Sequence, residues 1–474
     1  MAGEFNIING YVYICHVSGG VYMFSVFDIF QICVGPSGPQ TSAPMKAACH
    51  FVKSLAASPL LSETDNINVD FYGQFSLTGK MNFCDVGIIL GLLGYTPEVT
   101  DLYRTKEMIA TVSQSRTIRL DGKKEIFFCP QKNISYNSHY LPQHENGLIL
   151  RAYSKGKLIY HQTYYATGGT EITTDISTKH EDKHVFPYKF RTAEELLFHC
   201  ENSGLSVPGV MMINESSRSA PEKITERLFS FWQIMLASIN RGVNTEGVLP
   251  GVMKVPRRAS SLYKILTNRI SDSSPLGAMD WVNMFAMAVT EENASGGLII
   301  TAPTNCSCGV FPAVLAYYDK FIHKVSPEIC TRYFLTGAAT GALFKMNASI
   351  SGAEIGCQGE IGVACAMAAS ALVELQGGSP EKICNAAEIA IEHHLGLTCD
   401  SFSGQSQVPC IERNAVAAIT AINAAGLSMC RTSRQKISLD KIIKTMYATG
   451  KGMSATHRNI LQGNLNTAIQ DEIN

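Results

Sequence analysis

No run of basic residues occurs in this sequence, and nowhere do aromatic and basic side chains interleave in the manner of a nucleic-acid-binding surface. The 39 lysines and arginines are matched by 40 aspartates and glutamates, so the net charge is −1. A balance this even offers no field to capture a polyanion, and nucleic acid is not an expected partner. Also missing is an uninterrupted stretch of ~18 apolar residues, so neither a membrane-crossing helix nor a membrane partner is expected. The first residues lack the positively charged start and continuous apolar core of a signal peptide. No repeat of solenoid period is present.

Cysteine, in contrast, is plentiful: the chain has 15, an odd number. Many lie in apolar, helix-like surroundings, such as Cys365 in Val-Ala-Cys-Ala-Met and Cys384 in Lys-Ile-Cys-Asn-Ala. Reduced thiols behaving as small hydrophobes in a cytoplasmic chain are a simpler reading than a disulfide framework. Three cysteines stand apart. Cys357 lies between Gly356 and Gln358-Gly359, Cys399 precedes Asp400, and Cys410 follows Pro409. Thiols in such Gly-, Asp- and Pro-containing loops are better placed to hold iron than to pair. Three thiolates would leave one iron of a [4Fe-4S] cluster without a protein ligand, free to act as a Lewis acid on a substrate hydroxyl.

Residues 1–22 do not fit the rest, and Met-Ala-Gly-Glu-Phe has the look of a cloning junction. They are expected to be a non-native or disordered extension, with Met23-Phe-Ser-Val-Phe-Asp opening the first strand. From 23 to 178, short β-rich runs (Asn68-Val-Asp-Phe-Tyr, Lys124-Glu-Ile-Phe-Phe, Gly147 to Tyr153, Lys157 to His161) alternate with helical stretches at Met45–Ser58 and Asp85–Leu93. A polar segment opening at Gly168 contains the expected linker, 179–190. From 191 to 474 apolar residues recur at three- and four-residue spacing, as in Glu360–Leu375 and Ala386–His394. The fold class read from this is α+β: an N-terminal α/β sandwich-like domain, then a larger all-helical domain whose loops carry the cysteines.

Long motifs in order give the chain a likeness to a known family. Thr245-Glu-Gly-Val-Leu-Pro-Gly, Ala278-Met-Asp-Trp-Val-Asn, Glu291-Glu-Asn-Ala, Thr301-Ala-Pro-Thr-Asn, the Cys357 segment and Leu395-Gly-Leu-Thr-Cys-Asp together resemble the iron–sulfur L-serine dehydratases over nearly the whole chain from Met23. The resemblance implies a [4Fe-4S] cluster on Cys357, Cys399 and Cys410. It also implies an amino-acid substrate losing its β-substituent to give a 2-oxo acid and ammonia, and a homodimer of amino-acid metabolism and gluconeogenesis. By the same resemblance Ser37, Gln40, Thr41, Asn82 and Asn347 are expected to bind substrate, and Lys80, Asn305 and Ser349 to serve in catalysis.

The chain departs from the family pattern within these loops. Gln40 and Asn82 stand where the pattern has histidines, and an amide donates a hydrogen bond but does not shuttle a proton near neutral pH. That leaves Lys80 as the expected base, provided burial lowers its pKa. Two thiols, Cys306 and Cys308, replace small residues after Asn305, and each is open to a reading as an extra ligand or as packing. The segment between Cys399 and Cys410 is more polar than in the pattern, and Thr456–Asn466 differs as well. These departures also open a reading in which the chain acts on another β-substituted amino acid, or binds without turnover.

Overall fold

The computed structural model describes residues 7–8, 11–12, 23–100, 102–174, 186–268, 276–399, 402–433 and 435–454. The expectation for residues 1–22 falls largely outside the described residues, apart from a pairing of Ile7–Ile8 with Tyr11–Val12. The departures at Asp400–Ser401 and Thr456–Asn466, and most of the expected linker, lie outside them too.

Two-residue periodicity builds the N-terminal sheet. Along Asn66–Gly73, Ile67, Val69 and Phe71 are buried while Asn66, Asn68 and Asp70 keep partial exposure, as a strand with one covered face requires. The order across the sheet is Glu171–Thr173, Lys157–Gly168, Asn146–Ser154, Asn66–Gly73, Ile134–Asn137. Only the last pairing is parallel. Ala43–Ala56 and Cys84–Leu92 bury their apolar faces with the sheet in one core that includes Phe51, Val52, Ile88, Phe71, Leu148, Leu150 and Tyr164. The two helices touch closely at glycines: a Cβ on Gly87 would sit 2.3 Å from Thr41 O, and one on Gly91 2.2 Å from Met45 O.

The larger part is built from helices around Ile361–Leu375, whose residues from Ile361 to Glu374 are all buried. It packs against Pro327–Asn347, Pro380–Glu392 and Cys410–Cys430. The window Cys357–Leu375 is long and apolar enough to cross a membrane by composition alone, but 94% of it is buried inside the protein. Its apolarity is that of a core helix.

Two expectations need correction. Met23–Phe30 does not open a strand; Val26–Ile29 is a short helix, because Ser25 and Asp28 form a reciprocal capping box. Glu215 accepts from Ser25 Oγ and Val26 N, both at 2.8 Å, and so docks this turn onto the helical part. Phe30 is buried there, 4.8 Å between ring centroids from both Phe311 and Phe334; truncating it would cost about 3–5 kcal/mol. The helical part is also not purely helical. After the Gly296-Gly297 turn, Leu298–Ile300, with two β-branched isoleucines, pairs antiparallel with Ile32–Val34. This two-stranded ribbon holds the start of the N-terminal loop against the cysteine-bearing half.

Candidate metal and substrate site

The Cys357 turn is shaped by small residues. After the short helix Gly352–Ile355, Gly356 takes φ +80, a conformation that L side chains rarely adopt, and its Cβ would fall 2.5 Å from Leu397 O. A Cβ on Gly352 would lie 2.2 Å from Glu360 Oε2 and 3.1 Å from Cys399 Sγ. The missing methyl leaves room for a carboxylate and a thiol side by side. Gln358, fully buried, then stitches the turn to its neighbours. Its Nε2 donates to Ile355 O (2.8 Å) and Met446 O (3.0 Å), its Oε1 accepts from Gly396 N (3.0 Å), and its backbone N–H donates to Leu397 O (3.2 Å).

These constraints bring the cysteines together. Cys399 shares a hydrogen bond with Cys357, and the ligand atoms of Cys357, Glu360 and Cys399 all lie within 4.8 Å of one another. Cys410 opens the helix Cys410–Cys430 and senses the charges of Cys357 and Glu360. One turn on, Asn414 donates to Cys410 O (2.8 Å) and to Cys306 O (2.7 Å) and accepts from Gly309 N (3.0 Å). Arg413 donates to Thr398 O at 2.8 Å, tying the same helix to the Cys399 segment. Cys306, half-buried, lies 2.9 Å from Ser406 Oγ, and Thr304, two residues before it, donates to Glu360 Oε1 at 3.0 Å.

The electrostatics describe a site short of positive charge. The bond with Cys357 and burial hold the Cys399 thiol well above its ordinary range, and burial does the same for Cys410 and Cys306. Burial pushes Glu360 up to about 7, against the opposing hydrogen bonds from Thr304 and Cys306. Thiols and a carboxyl crowded together keep their protons until a cation offsets the charge, and binding one would release them. Sulfur-rich donors of this kind suit zinc or an iron–sulfur group.

The N-terminal loop faces this half of the protein. Gly38–Ser42 forms a wide helical turn leading into Ala43–Ala56, with Ser37 Oγ accepting from Gln40 N at 3.3 Å. Thr41 Oγ1 donates to Asn82 O (2.6 Å) and accepts from Ser37 N (3.2 Å). Asn82 Nδ2 donates to Gln40 Oε1 (2.7 Å), to Thr78 O (3.0 Å) and, more weakly, to Gly404 O (3.5 Å) in the segment between Cys399 and Cys410. Asn305, next to Cys306, donates to Asn293 Oδ1 (2.9 Å), and Asn293 donates to Pro36 O (3.1 Å). A Cβ on Gly38 would come 3.1 Å from Asn305 Oδ1. Ser37, Gln40, Thr41, Asn82 and Asn305 thus form one network against the cysteine loops.

Two expected site residues, Lys80 and Asn347, lie outside this network, and a third, Ser349, lies beside the Cys357 turn. Lys80 is exposed, so the burial on which its expected role as base depended is not met. Asn347 Nδ2 donates to Arg191 O (2.6 Å) and Leu343 O (2.9 Å), closing the end of Pro327–Asn347. Ser349, largely buried, accepts from Ser351 N at 3.1 Å and shapes the approach to the Cys357 turn. Cys308 is fully buried in the main apolar core, where its thiol packs as a small hydrophobe. Sequence reasoning did not single out Gln358, Asn293 or Asn414. The one signal available was position: Gln358 follows a cysteine, Asn414 stands one helical turn after another, and Asn293 sits in the Glu291-Glu-Asn-Ala motif.

The fold and site define a buried cysteine-and-carboxylate centre, set in a helical body beside an α+β domain that supplies a polar loop. Comparison with known proteins agrees. The family model described as "Serine dehydratase beta chain" matches residues 25–177, and "Serine dehydratase alpha chain" matches 202–466. L-serine dehydratase 1 of Escherichia coli K12 is 49% identical over 453 residues, spanning 94% of this chain and 100% of that enzyme. The L-serine dehydratase of Haemophilus influenzae is 46% identical over 452 residues (94% and 99%), and that of Helicobacter pylori 37% over 451 residues (93% and 98%). The chain belongs to the serine dehydratase family, with its alpha and beta parts in one polypeptide.

Proposed function

We propose that this protein is an iron–sulfur lyase that converts L-serine to pyruvate and ammonia. The observation that carries the reading is the convergence of Cys357, Cys399 and Glu360 within 4.8 Å beside Cys410, in a member of this family. Cys357, Cys399 and Cys410 would hold a [4Fe-4S] cluster, which when bound supplies a Lewis acid for the substrate's β-hydroxyl. Ser37 accepts the Gln40 N–H and so keeps its own O–H to donate to the substrate carboxylate. Thr41 holds Asn82, and Asn82 holds Gln40, so the three side chains form a fixed wall. Asn305, anchored by Asn293, lines the junction between this wall and the cysteines.

Glu360, held by Thr304 Oγ1 at 3.0 Å, takes the role that Lys80 loses. It is the carboxyl beside the cysteines and is placed to accept the α-proton. Loss of that proton with the β-hydroxyl releases water and leaves 2-aminoacrylate, which tautomerises to the imine and hydrolyses to pyruvate and ammonia. All fourteen cysteines among the described residues are free, which supports a reducing, cytoplasmic setting, and a homodimer is part of the same proposal.

A second reading, a member that acts on another β-substituted amino acid or binds without turnover, is favoured by the Gln40–Asn82 pair, which contains no titratable group. The test is anaerobic reconstitution with iron and sulfide, followed by assay of ammonia and 2-oxo acid against a panel of β-substituted amino acids. Pyruvate from L-serine, abolished together with bound iron by Cys399→Ala, is the expected result. Full cluster loading with no product from serine would sink the leading reading.

A further inference from the structure

Four segments meet at this centre and each carries a cysteine: the loop before Val310–Phe321, whose Thr304 donates to Glu360 Oε1 at 3.0 Å, the turn before Ile361–Leu375, the Cys399 loop and the start of Cys410–Cys430. We propose that Cys306 is a fourth protein ligand of the metal group, completing its thiolate set in the absence of substrate; this rests on the cluster reading given above.

The placement of Cys306 is specific. Its sulfur lies 2.9 Å from Ser406 Oγ, in the segment joining Cys399 to Cys410, and two residues before it Thr304 Oγ1 donates to Glu360 Oε1 at 3.0 Å. Its backbone carbonyl is held by Asn414, the same side chain that holds the Cys410 carbonyl, so one buried amide fixes both cysteines relative to each other. Cys308, two residues on, is fully buried and its thiol has no hydrogen bond to the Ser406, Asn414 and Glu360 groups that surround Cys306. Cys306 is instead half-buried and turned toward polar partners.

Ligation breaks the Cys306 Sγ–H bond, releases that proton to solvent and forms an iron–sulfur bond from the thiolate lone pair, with no electron transferred. A substrate hydroxyl then has to replace Cys306 at the fourth iron. Closing the site also protects that iron, because a cube with one iron lacking a thiolate is the kind that loses it on oxidation.

The experiment compares wild-type protein with Cys306→Ala and Cys306→Ser, each loaded anaerobically, for iron and sulfide content. Each is then titrated with ferricyanide while the three-iron electron-paramagnetic-resonance signal is followed. Cys306→Ser keeps a hydroxyl to meet Ser406, so loss of fold does not confuse the result. About four irons per chain are expected in all three, with the three-iron signal forming several-fold more slowly in wild type than in either variant. Equal rates in all three would overturn the ligand role while leaving the cluster reading intact. Absence of iron and sulfide from wild type and variants alike would overturn both.

Discussion

Asn82 Nδ2 donates to Gln40 Oε1 at 2.7 Å, so the two positions at which the family pattern has histidines are in direct contact across 42 residues of sequence. Gln40 Nε2 in turn donates to Thr78 Oγ1 and Gln74 O. The pair is an amide bridge, able to hold geometry but not to exchange a proton near neutral pH. Gln40→His with Asn82→His is therefore expected to raise L-serine deamination, by at least about tenfold if general acid–base catalysis is restored. Each single change should do less, because an imidazole facing an amide lacks its partner. Steady-state pyruvate formation by the reconstituted proteins checks this; efficient wild-type turnover with no gain from the double change would show that the amide bridge is neutral.

Glu360→Gln keeps the size of the side chain and its contact with Thr304 but removes the carboxylate. Turnover should fall by about 10²-fold or more, within the range for loss of a general base. Iron content should stay at the wild-type level. A parallel loss of iron and activity would instead make Glu360 a metal ligand.

Gln358→Ala leaves Ile355 O and Met446 O without their side-chain partner in a buried setting, and releases Gly396 N at the exposed end of the turn. The expected loss is roughly 2–4 kcal/mol, read by urea unfolding of the metal-free protein. Because Gln358 adjoins Cys357, iron retention after loading should drop as well. An unchanged midpoint would show that Gln358 is not the stitch between the Cys357 and Cys399 segments.

His394 is held below its ordinary value of 6.5, first by burial and further by the charge of His393, against a hydrogen bond with Ala390 O. The unfolded chain takes up a proton near 6.5 that the folded chain resists. Stability is therefore undiminished by this group above that value and is lost as pH falls from about 6.5 toward the lower folded pKa. Thermal midpoints measured between pH 7.5 and 5.5 should fall less for His394→Gln than for wild type. Identical slopes would exclude a contribution from this histidine.

Much of the fold was legible because periodicity is local. Alternation along Asn66–Gly73 and the three- and four-residue spacing of Ile361–Leu375 follow from which faces must be covered, and the strand-to-helix change of texture along the chain follows with them. The approach of Cys357 to Cys399 was suggested by their glycine- and aspartate-containing surroundings, which set them apart from the thiols of the apolar helices. Other features were not legible. Met23–Phe30 has the composition of a strand, and only the Ser25–Asp28 capping box and the distant Glu215 carboxylate make it a helix docked in the other half. Lys80 and Asn347 stand in motif segments, yet one points to solvent and the other closes a helix, because side-chain direction depends on how elements pack. The apposition of Gln40 with Asn82 and of Cys306 with Ser406 spans 42 and 100 residues. Sequence alone determined which side chains the site has available; contacts over such separations exist only once the ribbon of Ile32–Val34 with Leu298–Ile300, the Gly352 and Gly356 cradles and the Asn414 clamp have closed, so tertiary structure decided which of those side chains meet.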